Sequence, residues 1–288
     1  MEFSIIIPTF QNYKYCKLTI DSIKKNSSFS HEIIVHLNGK DDETEKFLLD
    51  NNIYYTKSSD NIGLCSGVNI ASKKSTKNYL LYSHDDMYFL PNWDNVLADE
   101  IEKLVDNKFY LSMTQISYTG PVKGSIQHIQ FDCGNTIENF NEVKLLNEYK
   151  SLKFKNLQGS HWAPHLIHKS IWNKIGGFSK EFNPGFASDP DLNMKLWNEG
   201  VRIFKGISES RLYHFGSITT RKKENIRRND GKKTFLQKWG ITVEFFVKHY
   251  LKRGIVYDGP LKDPNKDFFY FIDYIIAKSK YYFVKILK

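Results

Sequence analysis

The feature that most restricts what this chain can fold into is the alternation of strand-like and helix-like segments through its first 90 residues. Phe3–Ile7 is an apolar run closed by Pro8, the pattern of a strand covered on both faces. Tyr13–Lys25 has apolar residues at loosely helical spacing. Glu32–Leu37 is again strand-like and ends on the turn pair Asn38-Gly39. Asp42–Asn51 reads as a helix with acids in its first turn, Ile53–Thr56 as a short strand, Leu64–Lys74 as a helix and Asn78–Tyr82 as a strand. Such alternation with short links needs crossover connections. It predicts an α/β fold with a mainly parallel central sheet flanked by helices.

After Pro91 the pattern changes. Asp94–Val105 is an amphipathic helix, and 109–157 mixes short strands with polar loops. Ser170–Ile175 is a short helix stopped by Gly176-Gly177, and Asp189–Asn198 is another, closed by Gly200. From Phe235 onward the chain is helical and aromatic. The expected division is a ligand-binding unit over 1–218, a basic flexible loop over 219–234 and a helical C-terminal extension over 235–288. Charge supports the middle boundary. The formal excess is +9, and Thr219–Lys238 alone holds eight Lys and Arg against Glu224 and Asp230. So local a concentration suits an anion site or a solvated loop better than a nucleic-acid-binding face. Cys16, Cys65 and Cys133 are odd in number and far apart, which fits neither a disulfide framework nor a zinc pattern and suits a reducing compartment. The N-terminus has no basic segment or cleavage site, and no 18-residue stretch is free of charge. The expectation is a cytoplasmic protein.

In an open parallel sheet, ligands bind beyond the carboxyl ends of the strands. That rule selects Pro8-Thr9-Phe10-Gln11, His36-Leu37-Asn38-Gly39 and Ser83-His84-Asp85-Asp86. Adjacent carboxylates at such an edge suit a divalent cation bridging a diphosphate, although a solvated turn would also use them. Small residues at Gly63, Ser66 and Gly67 let the start of a helix approach an anion, or simply begin a helix. No Gly-x-Gly-x-x-Gly follows the first strand, which argues against a dinucleotide enzyme. Asp189 and Asp191 open a helix, where they serve either as first-turn acids or as a base at a pocket edge. Pro164 interrupts the histidine run 161, 165, 168 and opposes a helical metal site there. His161 and Trp162 are placed on the acceptor side. His214 ends an apolar run just before the basic stretch, as a ligand or an ordinary loop histidine.

Taken in order, these motifs resemble the family-2 glycosyltransferases, which have the Rossmann-like GT-A fold. The resemblance runs over residues 3–255. Ser4–Phe10 resembles that family's opening strand and nucleoside-contacting loop. Asn61-Ile62-Gly63 with Asn69 is similar to its helix start, and Asp85-Asp86 followed by Pro91-Asn92-Trp93 to its Asp-x-Asp region. Ile175–Phe182 resembles its Gly-Gly-Phe segment, Ser188–Leu192 its Glu-Asp-x-Asp-Leu motif, His214-x-x-Ser217 its late metal or phosphate motif, and Lys238-Trp239-Gly240 its Lys-Trp-Gly. Three positions depart from the pattern: His84 stands for the first acid, Asn38 for a base-contacting Asp, and Ser188 for Glu.

The resemblance implies an inverting single displacement from a nucleotide-diphosphate sugar, a UDP-sugar in the first instance, to a hydroxyl on a glycan or lipid-linked acceptor. Pro8, Thr9, Phe10, Asn38, Asn61, Gly63, Asn69, Asp85, Asp86 and Arg221 would contact the donor. Asp86 and His214 would hold Mn²⁺ or Mg²⁺, and Asp189, or failing it Asp191, would be the base. The apolar stripe Phe268, Phe271, Ile272, Ile275, Ile276 and the lysines after it suggest a helix packed on the catalytic unit or a second subunit, or one resting on a membrane. The competing class is a non-catalytic carbohydrate- or nucleic-acid-binding protein, or a transferase acting on nucleic acid.

Overall fold

The structure is a computed structural model and describes residues 1–119, 128–159, 162–216 and 229–286. Its first half follows directly from the apolar periodicity. β1 (Ser4–Thr9), β2 (Glu32–Asn38), β3 (Tyr54–Ser58) and β4 (Tyr79–Tyr82) lie in the order β3-β2-β1-β4, all parallel. Their crossovers are α1 (Tyr13–Asn26), α2 (Asp42–Asp50) and α3 (Leu64–Ser72). Every residue of β1 is buried, which is why it reads as an unbroken rather than an alternating strand. α2 begins where the Asp41 carboxylate accepts from the Thr44 N–H, with Asp42, Glu43 and Glu45 at the positive end of the helix.

The second half contains β5 (Met87–Phe89), α4 (Trp93–Glu102), β6 (Phe109–Ser117), β7 (His128–Gln130), α5 (Glu142–Glu148), β8 (Leu157–Gln158), β9 (His165–His168), α6 (Lys169–Ile175), α7 (Ser188–Asn198) and β10 (Ile203–His214). The full sheet runs β3-β2-β1-β4-β9-β6-β10-β5, with β7 added to β6 and β8 to β10. β9 is antiparallel to both β4 and β6, and β5 to β10. The architecture is the expected α/β one, parallel from β3 to β4 and mixed beyond. β9 follows β8 without an intervening helix among the described residues, so it need not enter the sheet from the crossover side.

α8 (Gly231–Trp239) starts on Asp230, whose carboxylate accepts from Lys233 N–H. Residues 231–234, expected in the basic loop, are therefore its first turn. A Cβ on Gly231 would lie 2.0 Å from the Phe186 carbonyl oxygen, so only glycine lets α8 sit this close to the chain entering α7. A helical turn over 243–250 follows, and after a non-helical stretch comes α9 (Phe268–Ile286). The C-terminal extension is thus helical in separate pieces.

The principal core joins the sheet to its helices through fully buried side chains such as Phe3, Phe89, Trp93 and Phe204. A smaller cluster of Tyr15, Tyr88, Ile116, Tyr213 and Phe215 lies against the 129–149 segment. Among the described residues no helix is long and apolar enough to cross a membrane.

Candidate functional site

Strand pairing assembles one half of the site. β5 runs against β10 with His214 opposite Met87, and Phe215 N–H donates to the Asp86 carbonyl at 3.2 Å. This brings His214 Nε2 to 3.3 Å from Asp86 Oδ1. Gln115, on neighbouring β6, donates its amide N–H to the Ala163 carbonyl and so turns Oε1 toward His214 Nδ1, 2.9 Å away. An amide oxygen only accepts, so Nδ1 carries a proton, and Nε2 is the ring nitrogen turned toward Asp86. Nε2 is buried without a hydrogen-bond partner. A ring nitrogen and a carboxylate oxygen therefore face each other, an arrangement that a shared cation satisfies, whether a proton or a metal ion. His84 completes the group: ligand atoms of His84, Asp86 and His214 all lie within 4.8 Å of one another. Burial pushes His84 down to about 4, against the opposing pull of Asp86, so it offers a neutral imidazole. Two imidazoles and a carboxylate fit a first-row transition divalent cation, with Gln115 fixing the ring that it touches.

Asp85 plays a different part. Its Oδ2 accepts from Thr9 Oγ1 at 2.6 Å, and burial together with the Asp86 charge raises its pKa. Phe10 lies nearby, its ring 3.4 Å from where a Cβ on Gly39 would stand.

Other residues expected at the donor also bond to the backbone. Asn38 Oδ1 accepts from Ile62 N–H at 2.8 Å, and Asn61 Oδ1 from Gly63 N–H at 2.9 Å. Gly63 has φ +83°, and a Cβ there would meet the Asn183 side chain at 2.5 Å. The Asn69 amide takes Phe178 N–H and gives its own N–H to the Phe178 carbonyl, at 2.9 and 2.7 Å. Asn38, Asn61 and Asn69 thus brace the loops, because short polar side chains satisfy local backbone first. Pro8 is buried within β1. His161 and Arg221 lie outside the described residues.

The other half centres on Asp189. α7 starts on Ala187 in the left-handed conformation (φ +62°) with no side-chain cap, so Asp189 does not serve as one. Its Oδ1 is occluded, has no hydrogen-bond partner and lies 3.9 Å from His165 Nδ1. Burial raises Asp189 to about 7, with Arg253 pulling the other way. The Arg253 guanidinium stacks 4.0 Å from the Trp162 ring centre, which brings Trp162, expected on the acceptor side, to this part of the site. His165 is 1% exposed and burial pushes it down to about 3, so Asp189 gains no charged partner from it.

Asp191, the reserve candidate for the base, is fully buried and engaged. It accepts from Ser179 Oγ at 2.6 Å and Trp239 Nε1 at 2.8 Å, and pairs with Lys238 at 2.9 Å. Two residues apart on a helix point to different sides, so one acid ties α8 to the body while the other makes no such tie. Tyr82 links the two halves through its neighbours, its ring 5.6 Å from His84 and 5.1 Å from His165, which stands 3.9 Å from Asp189. Sequence reasoning missed Gln115 and Arg253, named His165 only within a histidine run, and read His84 as a departure from the acid pattern rather than as a ligand. Gln115 alone had a signal, as a long polar side chain within an apolar run.

A family model described as glycosyl transferase family 2 matches residues 4–175. A glycosyltransferase of Rickettsia typhi, itself uncharacterized, is 36% identical over 197 residues, which is 67% of this chain and 58% of that protein. The chain therefore spans somewhat over half the length of that relative. Among solved structures, S. aureus TarS 1–349 in complex with UDP-GlcNAc is similar with a TM-score of 0.52 and 16% identity, over 75% of this chain and 61% of that one. GalNAc-T7 with UDP, GalNAc and Mn²⁺ gives a TM-score of 0.59 and 14% identity, over 86% and 50%. At these identities the structures share the GT-A fold. With most of the sheet and all of the first strand-end loops inside the matched segment, the chain belongs to glycosyl transferase family 2.

Proposed function

We propose that the protein is a nucleotide-sugar glycosyltransferase that passes a hexosyl group to an acceptor hydroxyl with inversion, in a single displacement. The observation that carries the reading is the facing pair of Asp86 Oδ1 and His214 Nε2, with His84 beside them, at the carboxyl edge of the sheet. Mn²⁺ or Mg²⁺ held by these three residues would neutralise charge on the departing diphosphate, and the two imidazoles favour Mn²⁺. Thr9 and Asp85 orient the donor, whose base lies near Phe10. Asp189 takes the acceptor's proton as its oxygen attacks the anomeric carbon; the bond to the diphosphate breaks on the opposite face and its electron pair leaves with the nucleotide. A carboxylate raised to about 7 suits a base working near neutral pH. Arg253 and Trp162 border the acceptor side.

UDP is the favoured nucleotide, since the TarS and GalNAc-T7 structures hold UDP-GlcNAc and UDP. The acceptor is a glycan or lipid-linked sugar met in the cytoplasm. The catalytic unit comprises 1–218, and the basic segment that follows lies outside the described residues from 219 to 228. The test is nucleoside diphosphate release from a panel of nucleotide sugars in Mn²⁺, with no acceptor added. Slow release that Asp86→Ala abolishes supports the proposal. Binding of nucleotide sugars without any turnover, with or without added glycan acceptors, would leave a carbohydrate-binding protein instead.

A further inference from the structure

α9 meets the rest of the molecule along one edge. Tyr270 and Ala277 are its buried residues. Tyr270 packs on Phe245 and His249, Tyr274 on Phe245, and Asp273 accepts from Lys248 and His249 at 2.6 and 2.7 Å. At about 3.6 residues per turn the opposite face carries Phe268, Phe271, Ile272, Ile275, Ile276 and Phe283. These side chains are between 39% and 73% exposed. A run of large apolar groups on the solvent side of a helix that is already anchored elsewhere marks a contact surface rather than a leftover of folding.

The charges say what that surface meets. Lys285 borders the apolar face on one side and Lys280 on the other, while the Lys278 ammonium lies over Tyr274 and Tyr281 toward the packed edge. Asp273 is the helix's one acid, and it sits on the packed edge already matched by Lys248 and His249. A second copy offering the same face would set lysine against lysine. An anionic bilayer satisfies both parts: the apolar groups enter the acyl boundary, and the lysine stems extend outward so that their ammonium groups reach the phosphates. The helix is not long and apolar enough to cross, so it lies in the plane of the surface. We infer that α9 is an interfacial helix that docks the protein on an anionic membrane through its Phe268–Phe283 face. The inference does not depend on sugar transfer, although it would bring the site to lipid-linked acceptors.

The test uses the full chain and vesicles of phosphatidylcholine with or without phosphatidylglycerol, with no nucleotide sugar present. Co-sedimentation should require phosphatidylglycerol. It should weaken in about 1 M NaCl, where screening shortens to about 3 Å. Each lysine near the surface contributes about fivefold in affinity, so Lys280→Glu with Lys285→Glu should weaken binding at least about tenfold. Ile275→Ser with Phe283→Ser should also abolish it. Both variants alter exposed residues, and unchanged circular dichroism and Tm establish that they fold. Failure of the wild-type chain to bind anionic vesicles would overturn the inference, as would binding indifferent to both variants. So would a dimer in analytical ultracentrifugation that the Ile275 and Phe283 changes dissolve, since a second copy would then cover the face.

Discussion

Asp189 keeps one carboxylate oxygen free of any hydrogen bond while Asp191, two positions later, has none free. That asymmetry sets the roles. Asp189→Asn should lower kcat about 10²-fold or more and leave UDP affinity near wild type, because the change removes a proton acceptor and little volume. The pH dependence carries its own sign. With Asp189 raised to about 7, the base is protonated below that pH. The kcat/KM of the wild type should then fall about tenfold per unit on the acid side and level off above. A profile flat down to pH 5 would contradict the assignment. Gln115→Leu tests the other half. It releases His214 Nδ1, and should weaken Mn²⁺ affinity about 10–100-fold in a calorimetric titration, since the ring orientation then has to be paid for on binding. Of these residues Asp86, Asp189 and His214 were singled out in the sequence, Asp86 just past a strand-like run, His214 at the end of one and Asp189 at a helix start. Gln115 and Arg253 were not, and His165 was named only within a histidine run. They matter only because β6, β9 and the 251–254 turn come to lie beside those runs, and side-chain spacing along the chain carries no trace of it.

At the scale of elements, the strands and helices up to Tyr82 were legible because the buried strands are short apolar runs bounded by turn residues and the helices between them carry apolar residues at helical spacing. α5 was not: seven residues with one buried side chain show no period. Nor was the direction of β9, which depends on how its link runs rather than on its apolar residues. α8 shows how a short element depends on partners. Asp191, buried beneath it, holds Trp239, Lys238 and Ser179 together. Asp191→Ala takes the acceptor from Trp239 Nε1, while Lys238 keeps Glu181 and Ser179, and should cost about 1–3 kcal/mol, seen as a lower Tm. Metal binding by the folded fraction should persist. A variant with normal Tm and lost turnover would instead return Asp191 to the list of bases.

Across the whole molecule, a parallel half built from crossovers and a mixed half built from returning strands meet at β4 and β9. The candidate site draws on both. Thr9 and Asp85 come from the parallel half, Gln115 and His214 from the mixed half, and Asp189 from the helix between β9 and β10. Such a site has no strength unless the halves are in register, which is why residues far apart in the chain had to be judged by order rather than by proximity. The account as a whole rests on the His84–Asp86–His214 group holding a cation for a nucleoside diphosphate. Calorimetric titration of UDP into the full chain, with Mn²⁺ and again with excess chelator, tests that most directly. UDP should bind in Mn²⁺ and lose at least about tenfold in affinity with chelator or in Asp86→Ala. Equal UDP affinity with and without the metal, or no UDP binding in either condition, would contradict it.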